Sequence, residues 1–426
     1  MRYRQALLML MLFLVSGLGF AQNNTNSPYT RYGYGQLADQ GASNSRAMGG
    51  VAYGLRDKYH TNFANPASYT AIDSLTFVFE GGISLQNTNF DNGTTKKNAK
   101  NTSLDYLSMH FRVGNRFGMS LGLLPYSNVG YDMANTYKDD EEEENTYTTS
   151  YFGEGGLHQA YAGLAYKITR KFSVGVNISY LWGDIEHTMM LIFPYNTSAY
   201  SMTKMDHVGI NSLKFDFGTQ YSHQFGKKQF VTFGAVFSPG YNLTNTAYTQ
   251  DVMGTSSAIL SGSTTSLGVD TKELDVKSGI PMTLGFGAAY VYDGRLTIGL
   301  DATYQNWSKV TFMGQDDTFA DRTKVAVGAE YLPNPVGRSF LLRTKYRVGA
   351  YVNTPYYKID GLRASSEWGV SAGFSIPIIR SRSYFNLSAQ YARVNAKGTS
   401  LINENQLRIN VGVTFNERWF YKTRVN

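Results

Sequence analysis

The chain contains no cysteine among its 426 residues. We therefore expect no disulfide, no cysteine-ligated metal and no lipid anchored through a cysteine. The six histidines are not arranged in the HExxH spacing that places two metal ligands on one helix face. The sequence thus predicts no metal site and no cofactor.

Long apolar runs are also missing once the first residues are passed. Beyond residue 21 no apolar stretch is long enough to cross a bilayer as a helix. Within 1–21, Arg2 and Arg4 precede an apolar core at 6–18, and the segment ends at Ala21. This arrangement is typical of a secretory signal peptide, so we exclude 1–21 from the fold.

Clustered charge and catalytic spacing are absent as well. The formal net charge is +7, but the basic residues are scattered along the chain, so we expect no nucleic-acid partner. No carboxylate pair, Ser/His/Asp set or phosphate-binding glycine loop has the spacing that its chemistry needs. The sequence therefore predicts no catalytic residues and no enzyme.

What the chain does have is tyrosine, phenylalanine and glycine, with 32, 25 and 43 residues respectively. They occur in runs that alternate apolar and polar residues, as a strand with one apolar face does. In the first run Phe77, Phe79 and Ile83 share one parity, while Thr76 and Glu80 share the other. The fourteen candidate runs are 75–85, 104–113, 117–126, 157–168, 172–183, 211–222, 230–239, 281–292, 296–306, 323–332, 339–352, 367–377, 383–393 and 406–415.

The connections between these runs alternate between short turns and long polar loops. A soluble β-sandwich has no reason for this rhythm, whereas outer-membrane barrels have short periplasmic turns and long outer loops. We therefore predict a transmembrane antiparallel β-barrel of fourteen strands over 71–415, in the bacterial outer membrane. An even strand count places both mature termini in the periplasm.

The sheet must close into a barrel because lipid offers no hydrogen-bond partner to the backbone groups at the edges of an open sheet. Outward apolar side chains would contact outer-membrane lipid, and aromatic residues near strand ends would form the interfacial girdles. The predicted girdle residues are Tyr126, Tyr166, Tyr180, Trp182, Tyr292, Trp307, Tyr331 and Trp368.

The other parity of the runs brings polar and charged side chains into the lumen. They are Glu80, Asp105, Asn177, Asp216, Asp301, Lys324, Glu330, Arg343, Lys345, Arg347, Gln390 and Arg408. These side chains would either line a polar channel or pair with one another and brace the wall. We favour the interpretation that they brace the wall and an N-terminal plug, which we predict at 22–70. Gly and Ala in this segment allow close packing inside the barrel. A basic tail at 416–426 would lie in the periplasm.

Two further stretches have alternative interpretations. Gly122 and Pro125 in the third run predict either a kink that opens a lateral gap in the wall or simply the end of the strand. The run Met189, Met190, Leu191, Ile192 and Phe193 follows the fifth strand. It would either capture an apolar ligand or extend the strand above the membrane.

The mature chain combines these features with the stretch Arg46 to Gly50 and the step Asn65-Pro66-Ala67 before the first strand. It resembles the FadL-type barrels that transport long-chain fatty acids and hydrophobic compounds, in the version found in Bacteroidetes-type bacteria. The resemblance implies a hatch motif at Asn65, Pro66 and Ala67, a lateral exit at Gly122 and Pro125, and ligand capture at 189–193.

Two functions remain open from the sequence, and the resemblance favours the first. The first is passive uptake of a fatty-acid-like hydrophobic small molecule, which diffuses laterally through the barrel wall. The second is a non-transporting barrel that serves as a subunit or scaffold of a larger outer-membrane secretion or assembly complex, with an outer-membrane or periplasmic protein partner. Uptake predicts a continuous apolar path, and the scaffold predicts a sealed lumen crossed by ion pairs.

Overall fold

The computed structural model describes residues 24–73, 76–138, 143–196, 198–261, 268–359, 361–364, 366–378, 382–395 and 402–418. The predicted signal peptide at 1–21 lies outside these residues. Of the predicted tail 416–426, residues 416–418 belong to the last strand, and the rest lies outside the described residues. Over the described residues, no helix has the length and apolar character needed to cross a membrane.

Fourteen antiparallel strands form the wall, and the last pairs with the first, so the sheet closes into a barrel. The first seven are β1 Thr76–Asp91, β2 Lys96–Arg112, β3 Phe117–Tyr137, β4 Tyr147–Lys167, β5 Phe172–Ile192, β6 Tyr200–Phe225 and β7 Gln229–Ser238. The others are β8 Met282–Tyr292, β9 Leu296–Asn306, β10 Arg322–Tyr331, β11 Lys345–Asn353, β12 Glu367–Pro377, β13 Tyr384–Val394 and β14 Asn403–Arg418. Each of the fourteen predicted runs corresponds to one of these strands, which confirms the predicted fold class.

Side chains along each strand alternate between a buried inner position and an exposed outer one. Phe286 and Val348 point outward and are 60% and 58% exposed, whereas Glu80 and Asn177 point inward and are 0% and 3% exposed. This is the reverse of a soluble protein and matches a barrel whose outer surface contacts acyl chains. The closed sheet also pairs the backbone groups that lipid could not satisfy.

Strands β3 to β6 are 21 to 26 residues long and continue beyond the length that a membrane requires. A further hairpin is formed by Asn245–Thr255 and Gly268–Glu273. Its first strand pairs with the N-terminal half of β6, from Tyr200 to Ile210. The predicted runs stop earlier because apolar and polar residues no longer alternate once the wall leaves lipid. We refer to the two ends of the barrel as the short-turn end and the long-loop end.

One predicted strand begins later than expected. The run 339–352 opens instead with a short helix, Phe340–Arg343, and β11 starts at Lys345. The side chain of Ser339 caps this helix by accepting a hydrogen bond from the Leu341 amide. Arg343 therefore lies in the turn between β10 and β11, and its predicted place in the lumen is wrong.

Residues 24–73 lie inside the barrel; we call them the inner segment. Their regular elements are two 3₁₀ turns, Pro28–Arg31 and Pro66–Ala71, the two-residue strand Gln36–Leu37 and the helix Ser43–Arg46. From residue 42 to residue 70 this segment is mostly buried, and it contacts the inner face of nearly every strand in turn.

Candidate functional site in the lumen

Glycines on the inner face of the wall mark the course of the inner segment. A side chain at Gly175 would meet Pro66 at 2.5 Å, and one at Gly328 would meet the Met48 side chain at 2.6 Å. Only a residue without a Cβ lets the backbone approach this closely. The inward glycines that contact the segment are Gly118, Gly163, Gly175, Gly218, Gly234, Gly285, Gly287, Gly299, Gly328, Gly349, Gly373 and Gly412.

The predicted hatch motif lies at the start of the second 3₁₀ turn. Asn65 is the N-cap, and its side-chain oxygen accepts a hydrogen bond from the Ala67 amide, with Pro66 in the first position of the turn. The Asn65 amide group donates to the carbonyls of Tyr53 and Thr219 at 2.9 and 3.1 Å. The motif therefore fixes the turn and also attaches it to β6.

Arg46 joins the inner segment to the wall near the middle of the lumen. Its guanidinium contacts Asp105 of β2 at 3.0 Å, and both side chains are almost fully buried. It also donates to the carbonyls of Gly41 and Asp39 at 2.9 and 3.1 Å. Asp39 in turn pairs with Lys324 of β10 at 2.7 Å. The two ion pairs attach neighbouring parts of the segment to opposite regions of the wall.

A second charged cluster lies where β10 and β11 meet the segment. Lys345 contacts Asp57 at 3.2 Å and Glu330 at 3.3 Å, and Arg347 contacts Glu330 at 2.7 Å. His60 of the segment lies 3.5 Å from Glu80 of β1. Buried charges are stable only when they are paired in this way. The bracing interpretation of the inward charges therefore agrees with their contacts.

Two of the three aspartates of the inner segment, Asp39 and Asp57, are held in their ionised form. Burial alone would raise the pKa of Asp39, but the charges of Lys324 and Arg46 outweigh it and hold that pKa below the ordinary 3.8. Burial acts in the same direction on Asp57, and Lys345 and His60 outweigh it, so the pKa of Asp57 is also lowered. Each carboxylate therefore keeps its charge and its ion pair at neutral pH.

The long-loop half of the lumen is filled by a packed aromatic cluster. Trp307 and Tyr34 are fully buried, and the Trp307 ring lies 4.4 Å from the Tyr356 ring and 5.4 Å from the Phe319 ring. The Tyr34 hydroxyl donates to the Gly279 carbonyl at 2.8 Å. Loop residues after β9 and β11 thus pack onto the inner segment and narrow this half of the bore.

This cluster corrects two predicted girdle residues. Trp307 begins a 3₁₀ turn directly after β9, and this turn carries the ring inward. Tyr126 lies at a register shift between Pro125 and Ser127, so the strand's parity changes there and the ring is buried. Neither residue lies on the lipid face. Alternation alone could not reveal a bulge or a turn at a strand end.

The wall is incompletely paired beside Pro125. The β2–β3 ladder runs from Arg112↔Gly118 to Leu107↔Leu123 and has no further pairs among the described residues. β2 continues beside β1 to Lys96, and β3 continues beside β4 to Tyr137. Pro125 therefore does not end the strand, which was one of the two alternatives. We call the unpaired stretch between β2 and β3 the seam.

The inner segment occupies the seam. Leu37 and Gln36 pair with Ser127 and Asn128 of β3, in the position that β2 would otherwise take. The Ala38 amide donates to the Tyr126 carbonyl at 3.0 Å, and the Gln40 side chain donates to the Pro125 carbonyl at 3.0 Å.

Earlier residues of the segment continue along both edges of the seam. Asn24 donates to Asn128 of β3 at 3.1 Å, and Asn26 donates to Asn101 of β2 at 3.4 Å. The inner segment thus bonds to both strands that border the seam. Asn24, the first described residue, lies well along β3 from the short-turn end.

Two cavities of about 130 and 160 Å³ remain in the lumen near the seam. An apolar cavity of about 150 Å³ can hold benzene, so their size alone would admit a small aromatic molecule. Charged side chains line them, however, including Asp39, Arg322 and Lys324 in both. An apolar molecule that entered either cavity would displace polar contacts of these charged side chains, which is unfavourable.

The predicted site residues lie in three separate places. The hatch motif contacts β5 and β6 inside the barrel, whereas Gly122 and Pro125 lie on β3 beside the seam. Met189 to Ile192 belong to β5, which extends beyond the membrane and pairs with β4 and β6 there, and Phe193 follows the strand. This is the arrangement of the strand-extension alternative.

The ring of inward glycines was not singled out from the sequence. Glycines recur at the inward parity in most strands, often one per strand, and a strand interior rarely tolerates glycine without a close backbone approach. That recurrence could have indicated a segment running around the inside of the wall.

Similar folds occur among solved outer-membrane channels. The toluene transporter TbuX of Ralstonia pickettii matches with a TM-score of 0.60 at 14% identity, over 90% of this chain and 99% of that one. A FadL homologue of Pseudomonas aeruginosa matches with a TM-score of 0.60 at 13% identity, over 90% and 99%. The monoaromatic hydrocarbon channel CymD matches with a TM-score of 0.57 at 13% identity, over 91% and 99%. This protein is thus a β-barrel of the FadL-type fold, as its resemblance implied.

The family is defined by the sequence match. A family model described as BamG matches residues 3–426, and the chain belongs to this family. A search of curated proteins finds no match. The Bacteroidetes-type detail stays a prediction.

Proposed function

We propose that this barrel is a non-conducting subunit or scaffold of a larger outer-membrane secretion or assembly complex. The observation that carries this proposal is the set of buried ion pairs that join the inner segment to β2, β10 and β11 inside the lumen. In this role residues 24–73 act as a permanent plug rather than a gate.

Energetics favour a permanent plug. Removing one partner of a buried ion pair, so that the other charge stays buried alone, costs about 3–5 kcal/mol. Withdrawal of the inner segment would separate Arg46 from Asp105, Asp39 from Lys324 and Asp57 from Lys345 together. Spontaneous opening of the bore would therefore be rare.

A group of exposed apolar side chains at the short-turn end supports a protein partner. Val336, Phe340, Leu341 and Leu342 are all exposed in the turn between β10 and β11, and Val336 is 87% exposed. The turn would lie in the periplasm by the outer-membrane rule. Neighbouring exposed apolar side chains in such a turn are typical of a surface that another protein covers.

A second candidate function is the passive uptake of hydrophobic small molecules by lateral diffusion. Two observations favour it: the seam beside Pro125 and the fold shared with channels named for toluene and monoaromatic hydrocarbons. In this role 189–193 would capture the ligand, and the strand Gln36–Leu37 would have to leave β3 before a molecule could pass.

A disulfide across the seam distinguishes the two functions. The variant Leu37→Cys/Ser127→Cys places cysteines at directly paired positions in a chain that has none of its own. A scaffold keeps its co-eluting partner in mild detergent, and its cells grow equally well, whether the bond is oxidised or reduced. A channel loses uptake of labelled toluene and fatty acid when oxidised and regains it on reduction.

The outcomes are decisive in both directions. Reversible loss of uptake in the oxidised variant would overturn the scaffold proposal. Elution of the unlocked protein from native outer membranes as a lone barrel would also overturn it. A stoichiometric partner, together with uptake that is the same with and without the barrel, would overturn the channel.

A further inference from the structure

A groove on the outer surface of the wall is not used by either proposed function. It lies over paired residues of β5 and β6, is open to the outside, and has a volume of about 810 Å³. Tyr180, Trp182 and Asp184 of β5 form one side, and Asn211 of β6 and Thr246 form the other. We call it the Trp182 groove.

The groove is an indentation that the fold holds in place. The β4–β5 ladder skips from Gly155↔Ile185 to His158↔Trp182. Gly155, Gly156 and Gly183 have φ values of 107°, 141° and 144°, which a residue with a side chain rarely adopts. Leu181 and Ile185 on the opposite face are fully buried in the lumen's apolar cluster. Packing inside the barrel therefore maintains the shape outside it.

The groove lies at the outer boundary of the lipid. Trp182 is the eleventh residue of β5, counted from the short-turn end, and a membrane strand spans about 9–11 residues. Ile178 and Leu213 are exposed apolar residues nearer the short-turn end. A lipid whose acyl chains lie on these two side chains would place its headgroup in the groove.

The side chains of the groove suit an uncharged sugar. The Tyr180 and Trp182 rings lie 5.7 Å apart at an interplanar angle of 23°, and together they offer a broad aromatic surface. The carboxylate of Asp184 is 74% exposed, and Asn211 and Thr246 add hydrogen-bonding groups beside it. Aromatic surface next to a few polar groups is typical of sites that fix the orientation of a ligand.

Charge argues against a phosphate headgroup. No lysine or arginine is among the lining residues of the groove. Asp184 would repel an anion, and the one ionisable neighbour of its carboxylate in the described residues is His207 at 3.5 Å. We propose that the Trp182 groove binds the uncharged sugar headgroup of an outer-leaflet glycolipid. The apolar surface below it favours a glycolipid over a soluble saccharide.

The test measures lipid binding to the full chain by native mass spectrometry from a sugar-free polyoxyethylene detergent. The probes are a diglucosyl diacylglycerol, a phosphatidylglycerol with the same acyl chains, and maltose, which has no chain. We expect the glycolipid to bind in preference to both. Trp182→Ala should weaken glycolipid binding by about tenfold, the effect of losing one aromatic contact in a well-fitting site.

Two further variants test whether the effect is specific to the groove and whether charge sets the preference. Trp368→Ala removes an exposed outer-face tryptophan that contacts Tyr391 and is not part of the groove, so it should leave glycolipid binding unchanged. Asp184→Lys should reverse the preference towards phosphatidylglycerol. Heat-modifiable migration on gels checks that each barrel is folded.

Three results would overturn the proposal. The first is equal retention of phosphatidylglycerol and glycolipid by the parent protein. The second is the same loss of binding in Trp368→Ala as in Trp182→Ala. The third is binding of maltose as tight as that of the glycolipid, which would indicate a soluble saccharide as the ligand.

Discussion

Replacing Arg46 by alanine tests how firmly the inner segment is held. The Arg46 side chain is 3% exposed, pairs with Asp105 at 3.0 Å and donates to two carbonyls of the segment itself. Its removal leaves the Asp105 carboxylate buried, with Ser84 as a remaining donor at 2.9 Å.

The size of the effect follows from this geometry. An uncompensated buried charge destabilises a protein by about 3–5 kcal/mol, and each 1.4 kcal/mol is a factor of ten in an equilibrium. We therefore expect the displaced state of the segment to be about 100 to 3,000 times more populated in Arg46→Ala.

A single cysteine reports this population directly. Ser45 is 3% exposed, and its hydroxyl has no hydrogen-bond partner among the described residues. Ser45→Cys therefore changes little and buries the only thiol of the chain. Maleimide labelling of this thiol in detergent should be slow in the parent and should accelerate by the factor above in Arg46→Ala, if closing is faster than labelling.

A surface pair provides the matched control. Lys58 and Asp73 lie 3.5 Å apart, but their side chains are 60% and 42% exposed, so Lys58→Ala should change the labelling rate less than about fivefold. A rate in Arg46→Ala no higher than that of Lys58→Ala would refute the view that buried charges hold the segment.

Three further predictions concern the same interface. Lys345→Met leaves Asp57 and Glu330 without their shared cation, so it should lower the melting temperature by several degrees in a heat-modifiability assay, since such a loss costs about 3 kcal/mol or more. The pKa values of Asp39 and Asp57 are lowered in the folded state. The two ionised carboxylates therefore stabilise the fold above about pH 4, which is the pKa of an aspartate in the unfolded chain, and this contribution is lost as the pH falls below that value. Labelling of Ser45→Cys, measured with a reagent that tolerates acid, should therefore accelerate below pH 4, and a flat profile would contradict this. Gly175→Val would collide with Pro66 and should reduce the yield of folded barrel, whereas Gly268→Val, at an exposed site with a nearest contact of 3.7 Å for Cβ, should not.

Strand alternation predicted the wall well because lipid imposes one rule on every strand. Leu284, Phe286 and Ala288 face outward on β8 for the same reason that Ile298 and Leu300 do on β9. The rule fails where lipid no longer acts. Strands β3 to β6 extend beyond the membrane, and there their length is set by packing among loops.

The lumen was harder to predict because its contacts join residues distant in sequence. Arg46 and Asp105, or Lys345 and Asp57, become partners only after the barrel closes. Inward parity identified most of the charged wall residues but not their partners. Arg343 and Trp307 were misplaced because each belongs to a short helical turn at the end of a strand, and alternation contains no information about such turns.

The seam shows what Pro125 does to the wall. The residue was expected either to end β3 or to kink it, and the strand continues beyond it with a register shift. A proline cannot donate to a ladder, and here the ladder to β2 ends two residues earlier, at Leu123. The local effect was therefore predictable, whereas the replacement of β2 by Gln36 and Leu37 was not.

Hydrogen exchange of the backbone amides at 43–70 in the intact barrel tests the central claim most directly. The amides of Ala52 and Thr61 donate to Asp301 and Glu80 inside the lumen at 2.6 and 3.0 Å. If the segment is a fixed part of the folded barrel, these amides should be protected as strongly as those of β8 and β9. Exchange within seconds across 43–70, while the strands stay protected, would contradict the account.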